Sequence, residues 1–202
     1  MRRYCKYNDL EYMINKIKIT NLADAESYSF NKNNRDYDVW ISAVGSEDKK
    51  QINRMRKNFQ EKNVKFFAQF FADWSDEDGM LWGHLEHEAP QHQHIQNIIT
   101  FLKPFTEDDK PHNLGINCFA GISRSTAIGL TALVMAGRTP EQALTELLKV
   151  RVEAWPNLRI LGFASDILGI DIHGHVVNWK KRVMQSEEIF IPDRQQKTED
   201  DL

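Results

Sequence analysis

The sequence predicts an α/β fold: a short, mainly parallel sheet flanked by helices. Three observations predict it. Apolar strand-like runs, Ile17 to Thr20, Asp38 to Val44 and Val64 to Phe71, alternate with segments whose apolar residues recur at helical spacing. A further run from Leu114 passes through Cys118, crosses a loop with Gly121 in its middle and enters a small, apolar, helix-forming stretch. The chain also has 202 residues, 41% hydrophobic and 27% charged, which fits one domain with a substantial core. That domain is expected over residues 1–185, with 186–202 a charged, flexible tail.

In chain order, residues 8–16 suit a short helix and IKIT, Ile17 to Thr20, a first strand. LADAESYSF suits a helix, and NKNNRD, Asn31 to Asp36, is a turn by composition. DVWISAV, Asp38 to Val44, reads as a buried strand. Residues 47–60 are polar with Ile52, Met55 and Phe59 at helical spacing, hence a surface helix. VKFFAQFF, Val64 to Phe71, is the next strand. The acidic loop ADWSDEDG and an insert through Pro90 follow it. Residues 91–105 form an amphipathic helix with Ile95, Ile98, Ile99 and Leu102 on one side. Lys103-Pro104 is expected to end it, and Thr106 to Asn113 to loop to the Cys118 strand. Ser125 to Ala136 is the central helix, closed by Gly137. Thr139-Pro140 starts another to Val150, with Ala143, Leu144, Leu147 and Leu148 inward. Arg151 to Trp155 leads to Pro156-Asn157, a helix from Leu158 to Leu168 and a last helix over 175–185.

A net charge of −3 gives no global attraction to nucleic acid or an anionic membrane. No apolar run approaches the roughly 20 residues of a membrane span, and the charged N-terminal MRRYCKYNDL does not read as a signal peptide. Cys5 and Cys118 make no disulfide framework. A reactive thiol survives best in a reducing compartment, so the cytoplasm is the expected location.

The chemistry concentrates at Leu114 to Leu130. Backbone N–H groups of a tight loop can turn inward and form a concave nest for an anion. The following helix adds unpaired N–H groups and the positive end of its dipole. Arg124 offers a planar fork that matches two phosphate oxygens. A thiolate at Cys118, favoured by that positive cup, is a nucleophile aimed at a bound phosphorus. Gly121 lets the backbone approach the ligand, and the Ser125 hydroxyl can bond the sulfur when it leaves.

Cys118, Gly121, Arg124 and Ser125 resemble the signature loop of the cysteine-dependent protein tyrosine phosphatases, in their small dual-specificity-like branch. The AGISRST run, Ala120 to Thr126, with Pro156-Asn157 downstream, is similar to bacterial tyrosine phosphatase-like proteins. The resemblance covers about residues 35–170, strongly in the loop and thinly elsewhere. It implies a tyrosine phosphatase-like fold in which the Asp38 to Val44 strand lies beside the Cys118 strand. It implies a phosphomonoester hydrolase with a phosphocysteine intermediate. Cys118 is the nucleophile, the loop residues Phe119, Ala120, Gly121, Ile122 and Ser123 with Arg124 bind the phosphoryl group, and Ser125 supports the sulfur. The family places an acid on a loop like ADWSDEDG; Asp73 comes first, then Asp76 and Asp78. Pro-Asn packs near the loop in the resembling proteins, so Asn157 is expected there, as a helix cap, an orienting group or both.

No cofactor or metal is required. His84, His87, His92 and His94 with Glu86 and Glu88 invite a metal, but a polar loop leading into a helix accounts for them better. Arg151 and Arg159 are candidate secondary anion contacts. The five residues between Cys118 and Arg124 include none that is basic, which suits a phosphorylated protein side chain, Tyr or Ser/Thr, as partner. The family usually has His before the Cys, where this chain has Asn117, and restoring His is expected to raise activity unless the surrounding packing has adapted to the smaller side chain. Asn117 and the long stretch between Asp73 and Cys118 also admit an alternative, a phosphate-binding pseudophosphatase with little turnover.

Overall fold

A computed structural model describes residues 13–74 and 88–188. Four parallel strands, β1 (Ile14–Thr20), β2 (Val39–Val44), β3 (Lys65–Phe70) and β4 (His112–Asn117), form one sheet in the order β1-β4-β2-β3. Crossover helices make the parallel arrangement possible. They are α1 (Leu22–Phe30), α2 (Lys49–Glu61) and α3 (His92–Glu107), followed after β4 by α4 (Arg124–Met135), α5 (Pro140–Val150), α6 (Leu158–Leu168) and α7 (Ile172–Glu188). The fold is α/β, as the sequence predicts. Among the described residues no helix is long and apolar enough to cross a membrane.

Strand periodicity divides β2 between two cores. Val39, Ile41 and Ala43 face a large cluster with α3, α4, α5, α6 and the start of α7. Trp40 and Val44 face a smaller one with α1 and α2, where Tyr28, Trp40 and Phe59 stack. Both faces of the sheet are covered, so β2 is buried along its whole length. Gly115 lies opposite Trp40 in β4, and a Cβ there would strike the indole.

Several boundaries differ from the sequence reading. Residues 14–16 belong to β1, not to a helix. A register irregularity between Ile14 and Lys16 puts Ile14 and Ile17 on the same core, and this three-residue spacing imitates helical periodicity. α3 continues two residues past its expected end at residue 105, to Glu107, with Pro104 in its last turn. Phe105 packs on Phe101 and His112, Thr106 is buried, and its hydroxyl donates to Lys103 O at 3.2 Å. That packing outweighs the one backbone bond that a proline removes. His112 and Asn113 extend β4 rather than lie in a loop: His112 N donates to Met13 O at 2.7 Å, and Asn113 Nδ2 to Asp36 O at 2.7 Å. The last helix runs from Ile172 through Glu188, so residues 186–188 of the expected tail are helical.

Candidate active site

β4 stops at Asn117 and α4 starts at Arg124, so residues 118–123 form a loop at the C-terminal edge of the sheet. Its carbonyls point outward. Phe119 O accepts from Leu22 N at 3.1 Å, Ile122 O from Trp155 N at 3.0 Å, and Ser123 O from Asn157 N at 3.3 Å. Ala120 O accepts from Arg151 Nη2 at 3.3 Å. In a trans peptide, a carbonyl and the N–H of the next residue point in opposite directions. The N–H groups of Ala120, Gly121, Ser123 and Arg124 therefore turn inward. Gly121 N–H donates to Cys118 Sγ at 3.2 Å, as this geometry requires. The loop is an anion nest at a helix N-terminus.

Its close fit depends on Gly121. That residue has φ +74, and a Cβ there would lie 2.6 Å from the Thr20 carbonyl carbon. Cys118 is 1% exposed, with Ser125 Oγ 3.2 Å from its sulfur. Arg124, 5% exposed, is the first residue of α4. Its Nη1 donates to Phe71 O at 2.8 Å, while its Nε is buried without a hydrogen-bond partner. A counter-charge, the Asp73 carboxyl, lies 3.6 Å from Nε, beyond hydrogen-bond reach. Phe119 is 66% exposed and stands at the rim, so its own part in the nest is made with backbone.

Asp73, three residues beyond β3, sits against this loop. Its Oδ1 accepts from Ser123 Oγ at 2.7 Å and from Asn157 Nδ2 at 3.1 Å, and its Oδ2 lies 3.6 Å from Arg124 Nε. Asp76 and Asp78, the other candidate acids, lie outside the described residues, as do His84 and His87. Asn157 caps α6 by accepting from Ile160 N at 3.1 Å, and its Nδ2 also reaches Asp73. Arg151 is a brace: it bonds Ala120 O and pairs with Glu153 at 3.3 Å. Arg159 faces Trp74 and Pro90 rather than the nest. His92 lies edge-on to Phe163, and His94 stacks on Phe71 with Nδ1 accepting from Gln91 N at 3.2 Å. Burial pushes the His94 imidazole below its ordinary pKa.

Asn117, the residue before Cys118, is held inside the sheet. It is 0% exposed and turns into the sheet toward β2, where Oδ1 accepts from Trp40 Nε1 at 2.9 Å and Nδ2 donates to Ser42 Oγ at 3.1 Å. Ser42 is its register partner. The amide thus ties the end of β4 to β2 immediately before Cys118. Spacing gave no hint of a further acid, Asp48, at the start of α2. Burial and neighbouring Glu47 raise its pKa, and the charge of Arg124 offsets part of that rise.

No known family model matches this sequence, and no curated protein does. The fold has solved counterparts. The crystal structure of Tk-PTP in the active form superposes with a TM-score of 0.51 at 13% identity, covering 84% of this chain and 99% of that one. The chain shares its fold with Tk-PTP. At 13% identity the likeness is one of fold, and the chemistry rests on the residues above. A kinase associated phosphatase, KAP, with serine in place of its catalytic-site cysteine, is 14% identical over 76% of this chain and 85% of that one. Its TM-score of 0.47 is too low to argue from.

Proposed function

We propose that the protein is a phosphomonoester hydrolase working through a phosphocysteine, a protein phosphatase of the tyrosine or dual-specificity type. One observation carries this reading: the loop N–H groups turn inward at Cys118, where that of Gly121 donates to the sulfur, and the buried Arg124 starts the following helix with its Nε lacking a hydrogen-bond partner. Tetrahedral oxygens bearing two negative charges suit that set of donors.

The phosphoryl oxygens bind the N–H groups and Arg124. Cys118 Sγ attacks phosphorus as the ester P–O bond breaks, and Asp73 gives the leaving oxygen its proton. Asp73, now a carboxylate, takes a proton from water. That water attacks phosphorus, the P–S bond breaks, and Ser125 Oγ donates to the departing sulfur. Asn157 and Ser123 hold the Asp73 carboxyl toward the nest. No metal or cofactor enters these steps. The partner is a phosphorylated protein side chain in the cytoplasm, with no role for nucleic acid or membrane. Asp73 beside Arg124, and Asp48 close enough to feel its charge, disfavour a polyphosphorylated ligand.

Hydrolysis of 4-nitrophenyl phosphate tests the proposal. Wild type turns over and orthovanadate inhibits it; Cys118→Ser does not turn over yet still binds vanadate, because the nest is backbone. Vanadate binding by a wild type that releases no nitrophenol would establish the pseudophosphatase alternative.

A further inference from the structure

We propose that Arg159 is a positioning residue for the Asp73 carboxyl, acting through the indole of Trp74. The proposal rests on the reading of Asp73 as the general acid. Asp73 and Trp74 are adjacent, so whatever fixes the Trp74 peptide and ring restricts where the carboxyl can go. Trp74 is 8% exposed, yet its Nε1 is buried without a hydrogen-bond partner among the described residues. A buried indole normally finds one. Its orientation is therefore set by contacts to its face and backbone rather than by its N–H.

The first turn of α6 supplies both. Asn157 Nδ2 donates to Trp74 O at 3.1 Å. The Arg159 guanidinium lies 4.6 Å from the Trp74 ring centroid, within cation–π range. Arg159 is itself held, donating from Nε to Pro90 O at 3.0 Å and lying 5.7 Å from the Phe163 ring. This turn of α6 is in register with the nest, because Asn157 N donates to Ser123 O. Arg159 thus transfers the position of the phosphate-binding loop to the residue that precedes Trp74. Its placement is not explained by helix stability, since a cation in the first turn opposes the helix dipole. A planar guanidinium suits stacking on the indole better than an ammonium does.

The general-acid signature tests this, because displacement of the acid harms a poor leaving group and spares a good one. The kcat of wild type, Asp73→Asn, Arg159→Ala and Arg159→Lys is measured on an alkyl phosphate and on 4-nitrophenyl phosphate, with vanadate inhibition alongside. Asp73→Asn should lose about 10²–10⁴ on the alkyl ester and much less on the nitrophenyl ester. Arg159→Ala should lose about 10- to 100-fold on the alkyl ester, the scale of a small misplacement. It should stay within about threefold of wild type on the nitrophenyl ester, with unchanged vanadate inhibition, and Arg159→Lys should recover part of the loss. Equal losses on both esters, or none, while Asp73→Asn keeps its signature, overturn the role of Arg159 alone. No signature in Asp73→Asn overturns the acid assignment and this proposal with it. If Arg159→Ala fails to fold, Trp74→Leu removes the ring that the guanidinium faces. Leaving-group-dependent loss there supports the proposal, and uniform loss refutes it.

Discussion

Replacing Asn117 with leucine keeps the side-chain size and deletes its hydrogen bonding. Trp40 Nε1 loses its acceptor and Ser42 Oγ its donor, in a site of 0% exposure. An orphaned buried donor costs about 1–3 kcal/mol. The Ser42 hydroxyl can rotate, so the indole N–H dominates and the total should be about 2–3 kcal/mol. With a urea slope of about 2 kcal/mol/M, the unfolding midpoint falls by about 1–1.5 M at unchanged slope. Trp40→Phe in the Asn117→Leu background removes the orphan. The double-mutant cycle should therefore show a coupling of about 1–2 kcal/mol. Asn117→His offers a donor and an acceptor but adds ring volume at a fully buried site, an overpacking worth about 1–3 kcal/mol. Both variants disturb the backbone that carries Cys118, so kcat falls in each. A midpoint for Asn117→Leu within about 0.3 M of wild type would refute the hydrogen-bond argument. Higher stability and activity in Asn117→His would refute the packing argument.

Arg124→Lys should lower kcat/KM for 4-nitrophenyl phosphate by at least about 10²-fold, because an ammonium cannot bond Phe71 O and fork two phosphoryl oxygens together; unchanged kinetics would remove Arg124 from phosphate binding. Gly121→Ala should abolish turnover and vanadate binding alike, since its Cβ would meet the Thr20 backbone and its φ is positive; isothermal titration with vanadate checks it. His94, whose pKa is lowered by burial, contributes stability that is fully present above the unfolded value near 6.5 and is lost as pH falls below it. Urea midpoints measured between about pH 7 and 5 should therefore fall less steeply in His94→Gln than in wild type; parallel slopes would show that His94 does not drive the acid loss.

The residue pattern alone determined the α/β class and most element positions, because periodicity and capping are local. Thr139-Pro140 starts α5, Leu22 to Phe30 is α1, and Ile52, Met55 and Phe59 face a core at the spacing that predicts it. It also determined the nest's composition, since a Gly at positive φ and an Arg at the helix start lie within seven residues of one thiol. Tertiary structure decided the rest. Pro104 lies inside α3 because the burial of Phe105 and Thr106 outweighs one lost backbone bond. β2 lies beside β4, as the resemblance implies, but that Asn117 reaches Trp40 and Ser42 depends on register between residues 77 and 75 positions apart, which no local pattern encodes. Arg151 and Arg159 became braces because residues distant in sequence, Ala120, Trp74 and Pro90, arrive where they point. Asp73 meets Ser123 and Asn157 across separations of 50 and 84 residues, and only the folded sheet edge brings those three together.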